Sequence, residues 1–313
     1  KEKLARFCNV NVDCVIESVD VNTIYDVPNH MYRECLDKVA LKKLKLKYNE
    51  PDLDSWNNFL DKYKNPKDTI KIALIGKYVE LQDSYKSILE SFIHAGAVNE
   101  VDVDIIPLHS EFINAENVHD KLQSFNGILV APGFGERGVE GKIEAIKYVR
   151  LNNIPFFGIC YGMQMAVIEY ARNILKLDDA NSTEVNPNTK NPVIDLMEEQ
   201  KNITEKGGTM RLGAWKCDIT KETLCHSVYK TENIEERHRH RYELNNKYLN
   251  QLEENGLVAS GKNKDTNLVE VVEIKDHPWF MGVQFHPEYK STVLSPHPLF
   301  VSFVSAAILN KNK

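Results

Sequence analysis

Across residues 69–172 the chain repeats one pattern, a short apolar run followed by apolar residues at helical spacing, and this alternation restricts the fold more than any other feature. Ile70, Ile72, Leu74 and Ile75 end at Gly76 and read as a buried strand. Residues 84–97 carry Ile88, Leu89, Phe92 and Ile93 at helical spacing, and Val101, Val103 and Ile105 then alternate as a strand. The series continues with a helix near 117–125, a strand over 127–130, a helix over 142–150 with Ile143, Ile146 and Val149 on one face, and a strand over 155–159. Strands alternating with helices in this way predict an α/β fold, a doubly wound, mostly parallel sheet flanked by helices. Ligands in such folds bind at the carboxyl ends of the strands.

The rest of the chain is less regular. At 313 residues, length alone suggests two compact units. Residues 15–19 and 23–25 read as short strands or turns and 31–46 as a helix, with too few apolar residues for a separate core. Residues 47–68 are polar and read as a linker that docks through Trp56, Phe59 and Leu60. Beyond Arg172, residues 182–208 read as a long loop, and strands return at 269–272 and 281–285. The net charge of −6 has the wrong sign for a surface that grips phosphate throughout. No run approaches the roughly 20 apolar residues of a membrane span, and residues 1–10 lack the apolar core of a signal peptide. Six scattered cysteines without a Cys-x-x-Cys pair fit a reducing compartment. The expectation is a cytoplasmic protein without a membrane or nucleic-acid partner.

The strand over 155–159 runs directly into Cys160, within Gly158-Ile159-Cys160-Tyr161-Gly162, and a helical pattern over 163–172 follows. Gly-x-Cys-x-Gly at a strand-to-helix junction has the form of a nucleophile elbow, where small residues permit the sharp turn that thrusts a nucleophile into a cleft. The helix N-terminus presents unpaired N–H groups and positive potential, which favour a thiolate, and the Tyr161 N–H is placed to meet an oxyanion. A buried packing cysteine is the plainer reading, and the coincidence of both glycines with the junction weighs against it. A second run, Gln284-Phe285-His286-Pro287-Glu288, follows the last apolar strand. Pro287 biases His286 toward an extended backbone, where residues two apart share a side, so His286 and Glu288 are expected together. With Cys160 they make a Cys–His–acid triad in which the imidazole takes the thiol proton and the carboxylate fixes the ring.

These runs, with Ala180-Asn181-Ser182-Thr183-Glu184, Gly207-Gly208-Thr209-Met210-Arg211-Leu212-Gly213 and Glu236-Arg237-His238-Arg239-His240-Arg241-Tyr242-Glu243, resemble the class I glutamine amidotransferase domain of the CTP synthase family. Leu4-Ala5-Arg6-Phe7-Cys8 and Thr23-Ile24-Tyr25-Asp26-Val27-Pro28 resemble the tail of that family's synthetase (amidoligase) domain. The resemblance implies a flavodoxin-like amidotransferase domain over 69–313, a linker over 47–68 and a synthetase tail over 1–46. It implies hydrolysis of L-glutamine through a thioester on Cys160, with His286 as base and then acid and Glu288 as its partner. The ammonia would go to a synthetase domain that aminates UTP with ATP and Mg2+; its P-loop, magnesium carboxylates and most UTP contacts would lie upstream of Lys1.

Glutamine would be held by Gly133, by the turn Tyr161, Gly162, Met163 and Gln164, by Glu184 at its α-amino group and by Arg241 at its α-carboxylate. A zwitterion needs one anion and one cation, and the guanidinium fork suits a carboxylate better than Lys would. Pro132 has no N–H, which leaves Gly133 as the oxyanion donor of its loop. The resemblance further implies a homo-oligomer, a tetramer in the full enzyme, and GTP as an allosteric activator near Arg137 and Arg211, either of which could instead be a solvated surface arginine. No metal or cofactor is expected in this chain.

Other readings use the same residues. The first is a γ-glutamyl hydrolase or cysteine peptidase on the same scaffold, disfavoured by clamps for both a free amine and a free carboxylate. The second is a GTP-responsive regulatory or assembly module, disfavoured by an intact triad. The run from Arg237 to Arg241 could also be a basic stripe for nucleic acid, or His238 and His240 a metal-binding pair; net negative charge and the lack of a matching Cys or carboxylate cluster argue against both.

Overall fold

The computed structural model describes residues 1–196 and 210–313. Gly207, Gly208 and Thr209, and the last part of the loop expected over 182–208, lie outside the described residues. The chain divides into two units, Lys1–Lys64 and Asn65–Lys313.

The first unit contains α1 (Glu2–Cys8), α2 (Val27–Arg33), α3 (Leu36–Lys43) and α4 (Asp54–Lys64). The helix expected over 31–46 is interrupted at Cys35, whose φ of 60° is left-handed and breaks the helical path between α2 and α3. Residues 15–19 form no strand, and 24–26 make one tight helical turn. The buried apolar residues of this unit are Ala5, Tyr25, Phe59 and Leu60. Tyr25 gathers an aromatic group: the Phe59 and Tyr63 rings sit 5.0 and 5.6 Å from its own, and Trp56 Nε1 donates to its carbonyl at 2.9 Å. Aromatic side chains from 47–68 thus pack edge-on around one tyrosine.

The second unit opens with β1 (Asp68–Gly76), α5 (Lys86–Asn99), β2 (Val101–His109), α6 (Val118–Leu122), β3 (Gly127–Val130), α7 (Val139–Asn152), β4 (Phe156–Ile159) and α8 (Tyr161–Asn173). There follow β5 (Asn181–Ser182), β6 (Pro192–Leu196), β7 (Arg211–Ile219), α9 (Leu224–Tyr229), β8 (Asn233–His240) and β9 (Tyr242–Leu244). The chain ends with α10 (Leu249–Glu254), β10 (Leu257–Lys262), β11 (Val269–Ile274), β12 (Phe280–Val283) and α11 (Pro298–Lys311). Among the described residues the main sheet has nine strands in the order β2-β1-β3-β4-β12-β11-β10-β7-β8. The run from β2 to β12 is parallel, and every pairing from β12 outward to β8 is antiparallel. The loop expected over 182–208 contains β6, which pairs with β5 and β9 in a small second sheet.

Strand periodicity explains the layers. On β1, Ile70, Ile72 and Leu74 face one side with Ile88 and Phe92 of α5 and Phe300 and Phe303 of α11. Ala73 and Ile75 face the other, with Ile143 and Ile146 of α7 and Ala166 and Val167 of α8. Both faces are covered, which is why these strands read as continuous apolar runs. β12 lies parallel to β4 with Gly282 opposite Gly158 and Val283 opposite Ile159. The residues that follow the two strands therefore emerge side by side.

Candidate active site

Cys160 occupies the turn between β4 and α8 with φ 52° and ψ −100°, a conformation that L-residues seldom adopt and that stores strain. The flanking glycines are required by contact. A Cβ on Gly162 would sit 2.3 Å from Val130 O, and one on Gly158 would sit 2.8 Å from the carbonyl carbon of Gly162. Tyr161 is the first residue of α8, so its N–H is not needed by the helix.

His286 arrives from the neighbouring strand end. Its backbone N–H donates to Arg237 O of β8 at 2.8 Å. Its Nδ1 meets Glu288 Oε1 at 2.7 Å, and its ring stacks on Tyr289 with centroids 5.2 Å apart. The carboxylate accepts only, so Nδ1 carries the proton and Nε2 is the reactive nitrogen. That nitrogen is buried without a hydrogen-bond partner among the described residues. Burial opposes charge on this ring, but the Cys160 sulfur and the Glu288 carboxylate outweigh it and raise His286 to about 11. An imidazolium beside a sulfur favours the thiolate.

A cavity of about 490 Å³ opens over the sulfur, and Cys160, His286, Gly133, Tyr161, Gln164, Glu184 and Arg241 all line it. Glu184 Oε1 accepts from the Gly135 N–H at 3.0 Å; burial pushes its carboxyl up, with that N–H and the Lys77 and Arg241 cations pulling the other way. Glu288 stands behind His286. Gly162 and Met163 are buried and do not line the cavity: Gly162 backs onto Val130 O, and Met163 packs against Gly282. The Tyr161 hydroxyl donates to Gly135 O at 2.5 Å, tying the elbow to the Gly133 loop.

The two arginines separate. Arg137 is half exposed, pairs with Glu111 at 3.0 Å and donates to Lys77 O at 3.3 Å. Arg211 is buried, which removes the solvated-surface reading for it: its Nη1 lies 2.7 Å from Glu270 and 3.9 Å from Glu243. His238 and His240 join this buried group, hydrogen-bonded to each other at 2.8 Å and lying 3.6 and 3.7 Å from Glu270 and Glu243. β8 turns Arg237 and Arg239 outward and both histidines inward, so the basic run is not one stripe on one face. Burial lowers both imidazoles, His240 to about 3, and raises Glu270 to about 7 and Glu243 to about 8 despite the Arg211 charge. One guanidinium serves Glu270 closely and Glu243 poorly, which accounts for the order.

Sequence reasoning gave no role to Gln284, whose side chain reaches Cys160 Sγ, nor to Tyr289. The signal for Gln284 was its spacing, two residues before His286 on an extended chain. The metal-cluster reading finds no group of three ligands among the described residues.

A cysteine on a strained strand–helix turn, facing a carboxylate-held imidazole above a parallel sheet, has the chemistry of thiol-dependent acyl transfer. Residues 80–306 match the model for class I glutamine amidotransferases, the family to which the chain belongs. Residues 1–46 match the CTP synthase N-terminus. Within the family the resemblance is to CTP synthases: the chain is 66% identical over 309 residues to the enzyme of Flavobacterium johnsoniae (98% of this chain, 58% of that protein). To the CTP synthase of Clostridium kluyveri it is 52% identical over 313 residues (100% of this chain, 58% of that protein). The chain thus spans a little over half the length of these relatives. A solved structure of the Trypanosoma brucei CTP synthase glutaminase domain with bound acivicin superposes with a TM-score of 0.72 at 39% identity, covering 77% of this chain and 94% of that one.

Proposed function

We propose that this chain hydrolyses L-glutamine at Cys160 and that, in the full-length protein, the ammonia released serves ATP-dependent amination of UTP to CTP. The observation that carries the reading is the shared cavity, where a nucleophile-elbow cysteine, an imidazole tied to a carboxylate, and the paired charges of Glu184 and Arg241 meet. Cys160 Sγ attacks the γ-carboxamide carbon, and the tetrahedral oxyanion is met by the N–H groups of Tyr161 and Gly133. His286 Nε2, carrying the thiol proton, passes it to the departing nitrogen, so ammonia leaves and a γ-glutamyl thioester remains. His286 then deprotonates a water that attacks the thioester, releasing glutamate and restoring the thiol. Glu184 takes the α-amino group and Arg241 the α-carboxylate. Gln164 lines the cavity, and its buried Oε1, without a partner among the described residues, is offered as an acceptor for a substrate N–H.

The remaining assignments belong to the same reading: residues 1–46 as the end of a synthetase domain that uses ATP, Mg2+ and UTP, a cytoplasmic homo-tetramer, and GTP as activator through Arg137. No helix among the described residues is long and apolar enough to cross a membrane. Arg211, enclosed by two carboxylates, fits an internal counter-ion better than a nucleotide contact.

Acivicin, found in the trypanosomal domain, is the probe. Mass spectrometry should find one adduct, on Cys160, and Cys160→Ala should abolish ammonia release from glutamine. Label spread over several cysteines, or activity retained in Cys160→Ala, would sink the proposal. A γ-glutamyl peptide turned over as fast as free glutamine would favour the hydrolase reading.

A further inference from the structure

Gln284 is fully buried just past β12, and its backbone N–H donates to Glu270 O of β11 at 2.8 Å. Its side-chain Nε2 lies 3.7 Å from Cys160 Sγ. Which end of this amide faces the sulfur is fixed by a chain of three groups. The carbonyl of Tyr242 is an acceptor only, and the Gln164 side chain meets it at 2.8 Å, so Gln164 must present its NH2 there. The same nitrogen lies 3.3 Å from the Gln284 side chain, which must therefore turn its oxygen toward Gln164. The NH2 of Gln284 is left to face the sulfur. A flip of either amide would set oxygen against oxygen or nitrogen against nitrogen between two buried side chains.

We propose that Gln284 is a catalytic residue of this site, its side-chain amide donating to Cys160 Sγ and stabilising the thiolate alongside His286. The proposal rests on Cys160 being the nucleophile. A buried hydrogen bond to a charged acceptor is among the stronger ones, and this donor is already oriented before substrate arrives. Because the donor belongs to an amide relay anchored on a backbone carbonyl, it stays in place as charge on the sulfur comes and goes. The titratable and charged groups around the thiol are His286, held by Glu288, Arg239 and His240 on β8, Glu184 and Arg241 across the cavity, and the phenols of Tyr78, Tyr85, Tyr161, Tyr242 and Tyr289. None of them is altered by changing Gln284.

The test is the pH profile of Cys160 alkylation by iodoacetamide in the full chain, read at that residue by mass spectrometry. Gln284→Met keeps the size and loses the donor; Gln284→Asn keeps the amide and loses the reach. Each should move the inflection up by about one pH unit and slow labelling at neutral pH about tenfold. As a check without substitution at Gln284, the Gln284 side-chain 15N resonance should move with the same inflection and stay still in Cys160→Ala. Unshifted inflections in the folded variants, or a Gln284 resonance blind to Cys160, overturn the role of Gln284 while leaving the nucleophile intact. Loss of preferential Cys160 labelling in the unaltered chain would overturn the nucleophile itself.

Discussion

Gly162→Ala isolates what the elbow needs from the backbone. The added Cβ would sit 2.3 Å from Val130 O and 3.1 Å from Val130 C. Val130 is main chain of β3, held between β1 and β4, so it cannot yield as a flexible side chain could. Relief requires the start of α8 to move by about 1 Å, and the sulfur moves with it. Overpacking of this kind costs about 1–3 kcal/mol, and the better helix propensity of Ala returns at most about 1. A net loss of about 1–2 kcal/mol lowers Tm by about 2–8 °C in a domain of this size. Misplacing the nucleophile by about 1 Å is worth about 100-fold in rate. Gly133→Ala is the control for stability alone, because its Cβ would meet only Tyr161 and Lys77 side-chain atoms, at 3.6 and 4.0 Å, while its N–H belongs to the proposed oxyanion site. Calorimetry and the rate of acivicin labelling at Cys160 measure both effects. A Gly162→Ala variant with unchanged Tm and labelling, or a Gly133→Ala variant with an equally lowered Tm, would refute the packing argument.

Further outcomes follow from the buried groups. Glu288→Gln keeps the shape beside His286 but removes the charge that orients the ring and sustains the imidazolium, so glutaminase kcat should fall by about 100-fold or more, with little change in Tm; a drop below fivefold would deny Glu288 that role. Glu243 holds its proton in the folded chain to about 8 against an ordinary 4.5, so its contribution to stability is lost as pH rises from 4.5 to 8. His238 and His240 are lowered from 6.5, so theirs is lost as pH falls below 6.5. Glu243→Gln should therefore flatten the alkaline side of the urea-midpoint profile by up to about 1.4 kcal/mol per pH unit and leave the acid side sloping; an unchanged profile counts against a protonated Glu243. Arg211→Met leaves two buried carboxylates without their cation and should cost about 3 kcal/mol at pH 8 and less at pH 5, where the folded chain holds both protonated. Equal costs at the two pH values would be incompatible with Arg211 as their counter-ion.

The parallel half of the sheet was legible because it is buried on both faces. Three short apolar runs, each ended by a turn or a helix pattern, identify β1, β3 and β4 to within two residues, alternation identifies the edge strand β2, and the Gly-x-Cys-x-Gly run marks the elbow. The antiparallel strands beyond β11 carry no such signal. β7 and β8 mix Arg, Lys, Glu and His with a few apolar residues, since their buried positions include Arg211, Glu236, His238 and His240. A strand whose inner face is ionic cannot be found by hydrophobic alternation. Cys35 fails for another reason: helical spacing runs through it, and nothing local announces a left-handed residue there.

The strand that periodicity could not find is also the one that completes the site. Through its backbone β8 accepts the His286 N–H at Arg237 O and brings Arg239 O to 4.0 Å from Cys160 Sγ. Just past it, the Tyr242 carbonyl sets the direction of the Gln164 amide and thereby of Gln284. Carbonyls do this work whatever side chain they carry, so sequence composition does not encode it. The side chains of Arg237 and Arg239 point outward, and replacing them leaves those carbonyls where the β7–β8 ladder holds them, with Arg237 opposite Ala214 and Arg239 opposite Leu212. The position of the base therefore depends on strand pairing more than on the identity of the arginines. The recognisable Glu-Arg-His-Arg-His-Arg-Tyr-Glu run divides its labour accordingly: inward histidines in the ionic cluster, outward Arg237 and Arg239, the latter at the cavity lining, and Arg241 with the Glu184 carboxylate in the proposed clamp.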